Sequence, residues 1–321
     1  MFISELRELP LMEIRHIKIG TRGSQLALWQ ANWVKSALES SSRDISVELV
    51  IIKTKGDKIL DVPLAKIGGK GLFVKEIEEA LFDGRVDLAV HSMKDMPAEI
   101  PDGLCIAAIP KRENPKDVLI SRKGLKFHEL PAGSTVGTGS LRRSAQLRYK
   151  RPDLLISPLR GNLDTRLRKL ETGTMDAVIL AAAGMIRLRL EGRITEYLDE
   201  EIMLPAAGQG ALCIETREND SYIASLIAGL DDPETRITVT GERAFLNRLE
   251  GGCQIPVAAH GKIEENRFVL SGLVAEPDGT AVIRDRLSGP VTESESIGIE
   301  LAENLLSKGA KQILEKLTAK L

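Results

Sequence analysis

Two adjacent arginines, Arg142 and Arg143, stand where a helix is predicted to begin. They follow the turn V-G-T-G-S, in which Ser140 is the expected N-cap, and the positive end of the helix dipole disfavours cations in a first turn. We therefore expect an anion to compensate them. The Thr138 and Ser140 hydroxyls, the backbone N–H groups after Gly139 and the two guanidiniums together predict a carboxylate or phosphate site. Solvated arginines on a surface helix are the alternative.

A similar turn, G-T-R-G-S-Q-L at residues 20–26, offers the same chemistry nearer the N-terminus. Its Arg22 takes the place of the arginine pair, and Ser24 is the expected helix cap. On its own, Arg22 is explained as well by a solvated side chain as by an anion site. The echo between the two turns suggests two related lobes.

A third group of arginines lies in the run R-G-N-L-D-T-R-L-R-K-L at residues 160–170. Leucines at positions 163, 167 and 170 predict the buried stripe of a helix, since successive residues are about 100° apart. Arg166 lies beside this stripe and Arg160 precedes the helix, so both are candidates for a cleft. Arg168 and Lys169 point away from the stripe and are predicted to be solvated.

The segment V-D-L-A-V-H-S-M-K-D-M-P at residues 86–97 runs from a buried strand into a loop that carries Ser92, Lys94 and Asp95. In open α/β sheets, functional residues gather at such strand ends. Asp95 has two interpretations. It is either a carboxylate that moves a proton and stabilises a cation, or a cap for the turn before Pro97.

The chain has three cysteines and no C-x-x-C pair, a pattern that predicts neither a disulfide framework nor a metal site. Cys105 and Cys213 fall within apolar strands, where a cysteine is usually a small core residue. Cys253 differs, because L-E-G-G-C-Q-I-P places it in a loop after two glycines. There it is either an exposed nucleophile or attachment point, or an incidental loop residue.

These residues must be positioned by a scaffold in which short β-branched runs alternate with helical periodicity, a pattern typical of parallel sheets with crossover helices. The first set has predicted strands at 14–21, 47–54, 86–93 and 104–109, with helices at 25–40 and 73–82. The second set has predicted strands at 118–121, 135–139, 154–158 and 177–182, with helices at 141–150 and 163–171.

The rest of the chain predicts a return to the first lobe and then a separate α+β domain. Glycines in A-A-G-Q-G-A mark the return, and a strand follows at 212–216. The later elements are a helix at 237–249, a hairpin of strands 268–274 and 281–287 around E-P-D-G, and one long helix at about 295–317. The predicted domains are a first lobe of 1–110 with 211–230, a second lobe of 111–210, and a C-terminal domain of 231–321.

Composition excludes several classes of protein. With 43% apolar and 28% charged residues, a chain of 321 residues can bury real cores and is expected to form two or three domains. A net charge of −2 and an aromatic content of 3% argue against nucleic-acid binding. The sequence has neither a signal-like N-terminus nor a run of about 18 apolar residues, so we expect a cytoplasmic protein without a membrane partner.

Taken together, these segments resemble the porphobilinogen deaminases, also called hydroxymethylbilane synthases. The resemblance is carried, in the family's order and spacing, by I-G-T-R-G-S-Q-L-A-L-W-Q, P-L-A-K-I-G-G-K-G-L-F-V-K-E, D-L-A-V-H-S-M-K-D-M-P, V-G-T-G-S-L-R-R, L-R-G-N-L-D-T-R-L, P-A-A-G-Q-G-A and L-E-G-G-C-Q-I-P. It implies two α/β lobes like those of periplasmic binding proteins around a cleft, with a smaller α+β C-terminal domain. It also implies a monomeric transferase that joins four porphobilinogen molecules head to tail, with loss of ammonia, giving hydroxymethylbilane for tetrapyrrole and haem synthesis.

The resemblance also implies a role for individual residues. Cys253 would hold a dipyrromethane cofactor through a thioether, and Asp95 would be the catalytic carboxylate that assists deamination. Cofactor binding would fall to Lys94, Arg142, Arg143, Ser140, Thr138, Ser92, Arg166 and Arg187. Substrate binding would fall to Arg22, Ser24, Arg160, Arg166, Lys66, Lys70 and Gln30. Guanidinium groups suit a product that gains carboxylates with every added pyrrole.

The sequence departs from the family pattern at a few positions. Gly139 stands where a serine is common, Met96 replaces a frequent valine, and the first eleven or so residues look like an extension. None of these changes removes Asp95 or Cys253. A non-catalytic carboxylate-binding protein with the same cleft is the alternative, but it would give Cys253 and the third domain no purpose.

Overall fold

The computed structural model describes residues 14–42, 44–58, 71–249 and 255–318. Lys66, Lys70 and Cys253 lie outside these ranges. Among the helices within them, none is both long enough and apolar enough to cross a membrane. The same residues contain no group of three or more His, Cys, Asp or Glu side chains that could hold a metal ion.

The first lobe begins with alternating strands and helices. These are β1 (Arg15–Thr21), α1 (Gln25–Ser41), β2 (Ile45–Ile51), α2 (Lys55–Lys58), α3 (Lys75–Phe82), β3 (Leu88–Ser92), a 3₁₀ turn (Met93–Asp95) and β4 (Leu104–Ala108). Helix α1 starts at Ser24, whose hydroxyl accepts a hydrogen bond from Ala27 N (3.3 Å). It buries Ala27, Ala31, Val34 and Leu38, at the spacing of one helix face.

The second lobe repeats this alternation. Its elements are β5 (Asp117–Ser121), β6 (Thr135–Gly137), α4 (Leu141–Lys150), β7 (Leu155–Ser157), α5 (Leu163–Glu171), β8 (Ala177–Ala181), α6 (Ala182–Arg187) and β9 (Glu196–Tyr197). The chain then returns to the first lobe with β10 (Leu212–Arg217) and α7 (Ser221–Ile227).

The two lobes have the same sheet order. The first sheet runs β2-β1-β3-β10-β4 and the second β7-β6-β8-β5-β9. In each sheet the first three strands are parallel, and the fourth is antiparallel to both neighbours. That fourth strand is also the first element after the chain crosses between lobes. The carboxyl ends of the parallel strands, where open sheets place their sites, therefore lie beside the crossings.

The C-terminal part is an α+β unit. It contains α8 (Pro233–Arg248), β11 (Val257–Glu264), β12 (Arg267–Ala275), β13 (Val282–Pro290), α9 (Ser294–Leu305), a π-helical turn (Leu306–Ala310) and α10 (Lys311–Thr318). Its three strands form an antiparallel sheet against α8 and α9. The core includes the fully buried Phe245, Phe268 and Leu301.

Helices α4 and α5 begin and end at the predicted residues, while other predictions need correction. The single final helix is wrong, because Gly309 adopts φ of 109° and interrupts the helix. Strand β11 was not predicted, since its V-A-A-H-G-K-I-E sequence lacks a clear alternation of apolar and polar residues. Helix α8 begins four residues before its predicted start at 237, with Asp232 as its cap and Pro233 in its first turn.

Candidate active site

The turn that carries Asp95 follows directly from the carboxyl end of β3. Its methionines, Met93 and Met96, are buried, and Met93 N donates to the carbonyl oxygen of Ala211 (3.0 Å). The backbone bond from Met96 N to Met93 O (3.1 Å) closes the turn, so its closure does not depend on the Asp95 side chain. Lys94 and Asp95 are half-buried. The methionines therefore anchor the turn and leave two charged side chains for the site.

Several cations of the second lobe act on this turn. Burial lowers the pKa of Lys94 to about 8, and repulsion by Arg143 contributes, whereas Asp95 and Asp117 oppose the shift. Burial likewise lowers the pKa of Arg166 to about 10, with repulsion from Arg143 and attraction from Asp95. The structure thus brings Lys94, Asp95, Arg143 and Arg166 into one electrostatic cluster.

The anion that compensates the arginine pair is supplied by the chain itself. Asp117, at the start of β5, accepts hydrogen bonds from Arg142 Nη1 (2.7 Å) and Arg143 Nε (2.9 Å). All three side chains are buried. Burial alone would raise the pKa of Asp117, but the two guanidiniums outweigh it and lower that pKa to about 2. Because one carboxylate faces two guanidiniums, the group of Asp117, Arg142 and Arg143 keeps a net positive charge.

Sequence reasoning missed Asp117 and also Gln209, which joins the lobes. Gln209 Nε2 donates to Asp117 Oδ1 (3.1 Å), and Lys94 Nζ lies 3.4 Å from Gln209 Oε1. Gln209 belongs to the A-A-G-Q-G-A crossing, and Asp117 precedes the apolar residues Val118, Leu119 and Ile120 of β5. A charged residue at the start of a buried strand could have indicated a role for Asp117. Its partners Arg142 and Arg143, however, are 25 and 26 residues away along the chain.

The hydroxyls of the second-lobe turn are used locally. Ser140 Oγ accepts from Arg143 N (3.4 Å) as the predicted N-cap, and Thr138 Oγ1 accepts from Ser140 N (3.2 Å). A Cβ atom at Gly139 would lie 2.6 Å from the carbonyl oxygen of Leu159. The glycine therefore permits a close backbone approach that a serine would have to push apart.

The corresponding turn of the first lobe holds Arg22 differently. Its guanidinium pairs with Asp57 (Nε to Oδ1 3.1 Å) and stacks on the ring of Phe73 at 4.2 Å. Burial would raise the pKa of Asp57, but the hydrogen bonds and charge of Arg22 lower it. Below this turn, Gln30 Nε2 donates to Ser92 Oγ (3.0 Å), so two predicted binding residues contact each other.

Arg187, at the end of α6, contacts the second crossing and Trp29 of the first lobe rather than the central cluster. Its Nη2 donates to Gly210 O (2.7 Å), and its guanidinium lies 5.8 Å from the ring of Trp29. Burial lowers its pKa to about 10, and Glu113 opposes the shift. Arg160 is half-buried and repels Arg166. Arg168 and Lys169 are exposed, as predicted.

Two family models together cover most of the chain. The model described as "Porphobilinogen deaminase, dipyromethane cofactor binding domain" matches residues 17–225, which span both lobes. The chain belongs to the porphobilinogen deaminase family. The model described as "Porphobilinogen deaminase, C-terminal domain" matches residues 236–307. Membership makes the chain a transferase of tetrapyrrole synthesis, with dipyrromethane as its cofactor.

Individual relatives agree with the family models. The chain is 56% identical over 301 residues to porphobilinogen deaminase of Syntrophotalea carbinolica, covering 94% of this chain and 96% of that protein. It is 55% identical over 305 residues to that of Pelobacter propionicus, covering 95% and 98%. A solved structure of the aliphatic sulphonate binding protein SsuA from Escherichia coli is 15% identical, with a TM-score of 0.40 over 73% of this chain and 70% of that one. The description of the lobes rests on their sheets and not on that likeness.

The residues around Asp95 fit a porphobilinogen deaminase cofactor that carries several carboxylates. Burial and repulsion from neighbouring arginines lower the pKa values of Arg143, Lys94 and Arg166, so an anionic ligand would offset both costs. A guanidinium has several N–H donors, and the bonds to Asp117 do not exhaust them. The donor set is therefore suited to a polycarboxylate and offers little to an apolar ligand.

Proposed function

We propose that this member of the porphobilinogen deaminase family joins four porphobilinogen molecules head to tail at the Asp95 turn, releasing ammonia at each addition and yielding hydroxymethylbilane. Cys253 holds the dipyrromethane cofactor through a thioether, and the cofactor supplies the pyrrole on which the chain grows. The observation that carries this proposal is the charge cluster at the turn, in which the Asp95 carboxylate attracts Lys94 and Arg166 while Arg143 repels both of these cations.

The charge balance supports a ligand with several carboxylates. Arg142 and Arg143 share the single carboxylate of Asp117, so one of their two positive charges is not neutralised. That charge adds to those of Lys94 and Arg166 nearby. Each pyrrole unit brings an acetate and a propionate, which guanidinium forks bind with defined geometry. The cations of the second lobe thus bind and orient the acidic side chains of the growing product.

Asp95 is the carboxylate that acts on the reacting porphobilinogen. Departure of ammonia from the substrate leaves a methylene-pyrrolenine cation, and an anion held close to that cation lowers the barrier to its formation. The Asp95 carboxylate accepts a hydrogen bond from the pyrrole N–H and stabilises this charge. Its neighbours Lys94 and Arg166 lie close enough to attract its negative charge. A half-buried position limits access of water to the cation.

We assign the other predicted residues by the same reasoning. The cofactor contacts Lys94, Arg142, Arg143, Ser140, Thr138, Ser92, Arg166 and Arg187. The incoming substrate contacts Arg22, Ser24, Arg160, Arg166, Lys66, Lys70 and Gln30. The Arg22 guanidinium, held by Asp57 and Phe73 at the first-lobe turn, supports this division, since it lies on the lobe that carries Asp95.

We further propose domain boundaries at 1–110 with 211–230, 111–210 and 231–321, and a monomer that works in the cytoplasm without nucleic acid or membrane. The sheet memberships support the boundaries, because β10 completes the first sheet from a distant part of the chain. The balanced charge and few aromatic residues support the absence of a nucleic-acid partner. Light scattering of the purified protein would test the monomer.

Intact mass measures the cofactor assignment directly. The purified protein should be heavier than its polypeptide by two linked pyrrole units, and Cys253→Ser should return the mass to that of the bare chain. Cys105→Ser is the matched control, because Cys105 is half-buried beside Thr216 and should leave the added mass in place. An active, freshly purified protein without any adduct would overturn the proposal.

A second variant separates catalysis from cofactor attachment. Asp95→Glu should keep the added mass but lower kcat by about 100-fold or more, because a longer side chain displaces the carboxylate from the charge it must stabilise. Single-turnover kinetics on the cofactor-loaded variant would measure this step. Normal turnover in Asp95→Glu would remove Asp95 from the catalytic role.

A further inference from the structure

Arg243, on helix α8 of the C-terminal unit, contacts the segment that directly follows Asp95. Its Nη2 donates to the carbonyl oxygens of both Pro97 (2.9 Å) and Ala98 (2.8 Å). Its Nη1 also lies 3.9 Å from Met93 Sδ, on the other side of Asp95 in the turn. One half-buried guanidinium therefore contacts the Asp95 turn before and after the carboxylate.

The helix that carries Arg243 is itself firmly placed against the first lobe. Val239, one helical turn earlier, packs in a cluster with Met93 and Met96. The neighbouring Glu242 is fully buried, and its carboxylate accepts from Arg112 Nη1 (2.6 Å) and Gly208 N (2.6 Å). Arg112 lies in the first crossing between lobes and Gly208 in the second. Helix α8 is thus tied to both crossings as well as to the Asp95 turn.

The same helix leads into the cysteine segment. Helix α8 ends at Arg248, and Cys253 follows five residues later in the sequence. Arg243 therefore stands on the element that connects the proposed cofactor tether to the body of the protein. A contact from this element to the Asp95 turn fixes the turn relative to helix α8, whose last residue is five positions before Cys253 in the sequence.

We propose that Arg243 is a positioning residue, which holds the Asp95 turn in register with the helix that leads to the cofactor cysteine. This inference rests on the proposed roles of Asp95 and Cys253. Arg243 need not touch substrate or cofactor, because it acts through the backbone of Pro97 and Ala98. An arginine suits the task, since its planar, permanently charged group can donate to two carbonyl oxygens at once.

The consequence for the reaction is geometric. If the turn loses this support, the Asp95 carboxylate is displaced by a fraction of an ångström to about 1 Å, and misplacement of that size can lower a rate by about 10- to 100-fold. Attachment of the cofactor and binding of porphobilinogen use other side chains, so both should persist. The expected signature is a loss of kcat with little change in KM.

The test uses the cofactor-loaded, full-length protein with Arg243→Met and Arg243→Lys. Arg243→Met should lower kcat by about 10- to 100-fold, while intact mass and KM stay within about twofold of the parent. Arg243→Lys should lose less, because an ammonium can still donate to a carbonyl oxygen. Arg248→Met is the matched control, since Arg248 lies on the same helix but is exposed and pairs with Glu303. It should leave kcat unchanged.

A double variant distinguishes positioning from general support of the fold. If Arg243 acts through the Asp95 carboxylate, Arg243→Met should lower the kcat of Asp95→Glu by less than about threefold, because the geometry it protects is already lost. A full multiplicative loss in the double variant would overturn the proposal. So would a kcat within about twofold of the parent in Arg243→Met, or in Arg243→Ala if the methionine variant does not fold. Normal turnover in Asp95→Glu alone would instead refute the proposed function.

Discussion

The two lobes share one sheet order but differ in the charged side chains that follow corresponding strands. In the first lobe, Arg22 follows β1 and pairs with Asp57, and both side chains are partly exposed. In the second lobe, Arg142 and Arg143 follow β6 and share the buried Asp117. Partly exposed charge pairs contribute little to the free energy of unfolding. Removing a buried carboxylate from between two guanidiniums, by contrast, lowers that free energy strongly, because it leaves buried charges without a partner.

The strands next to these ends differ in a similar way. In the first lobe, β3 ends in the 3₁₀ turn that presents Lys94 and Asp95. In the second lobe, β8 continues directly into helix α6, which carries Arg187 to Gly210 in the second crossing and to Trp29 of the first lobe. Under the proposed function, the first lobe supplies the reacting carboxylate, and the second supplies fixed positive charge that binds and orients the acidic ligand. Duplicated sheets thus serve two different chemical tasks.

Asp117→Asn should show the largest effect on this comparison. It leaves two buried guanidiniums without an anion, so the free energy of unfolding should fall by about 3–5 kcal/mol. The fraction of protein that carries the cofactor should fall as well, because Arg142 and Arg143 lose their orientation. Urea unfolding and intact mass would measure the two effects.

The control for Asp117→Asn lies in the same lobe. Asp176→Asn removes an exposed pair with Arg122, and it should change the free energy of unfolding by no more than about 1 kcal/mol. If Asp117→Asn were no more costly than Asp176→Asn, the second lobe would not depend on its buried carboxylate, and the contrast between the lobes would fail.

Local features of the sequence were sufficient to predict much of the scaffold. Helices α4 and α5 have capping side chains at Ser140 and Asn162 and clear apolar spacing, so their bounds follow from nearby residues alone. The interruption at Gly309 depends on a backbone angle that the surrounding helical periodicity conceals. Arg142 and Arg143 were identified through the unfavourable helix dipole, which is likewise a local property.

The remaining features depend on contacts between distant parts of the chain. Gln209 meets Asp117 across 92 residues, and Arg243 meets Pro97 across 146. No spacing rule relates such positions, because sheet order and the two crossings bring them together. The positive site was therefore predictable as a set of arginines, whereas the residues that orient those arginines and the Asp95 turn were not.

The charge of Lys94 should make the site sensitive to pH. Its pKa of about 8 lies below its ordinary value of 10.5, so the folded state releases this proton before the unfolded state does. Between about pH 8 and 10.5 the unfolded chain binds more protons, and the contribution of Lys94 to the free energy of unfolding therefore rises with pH. Over the same range the site loses a positive charge that attracts the carboxylates of any pyrrole bound there, so the KM for porphobilinogen should rise by about tenfold although Lys94 itself is assigned to the cofactor.

Lys94→Met should remove both trends between about pH 7 and 9, because its side chain has no proton to lose and Arg166 and Arg187, with pKa values of about 10, stay largely protonated there. KM and urea unfolding across this pH range, for parent and variant, would measure them. Lys116→Met is the control, since Lys116 forms an exposed pair with Asp199 and should leave the pH dependence of KM in place. A parent KM that stays constant above pH 8 would contradict the contribution of Lys94 to binding.

Asp57→Asn is the first-lobe counterpart of Asp117→Asn and should have the smallest effect. The pair of Asp57 with Arg22 is partly exposed, so its loss should change the free energy of unfolding by no more than about 1 kcal/mol. The stack of Arg22 on Phe73 remains, which should limit the rise in KM to about threefold. Cofactor content should be unchanged, because the second-lobe arginines are not affected. If Asp57→Asn instead lost the cofactor and as much stability as Asp117→Asn, both turns would bind charge in the same way and the division of tasks between the lobes would be wrong.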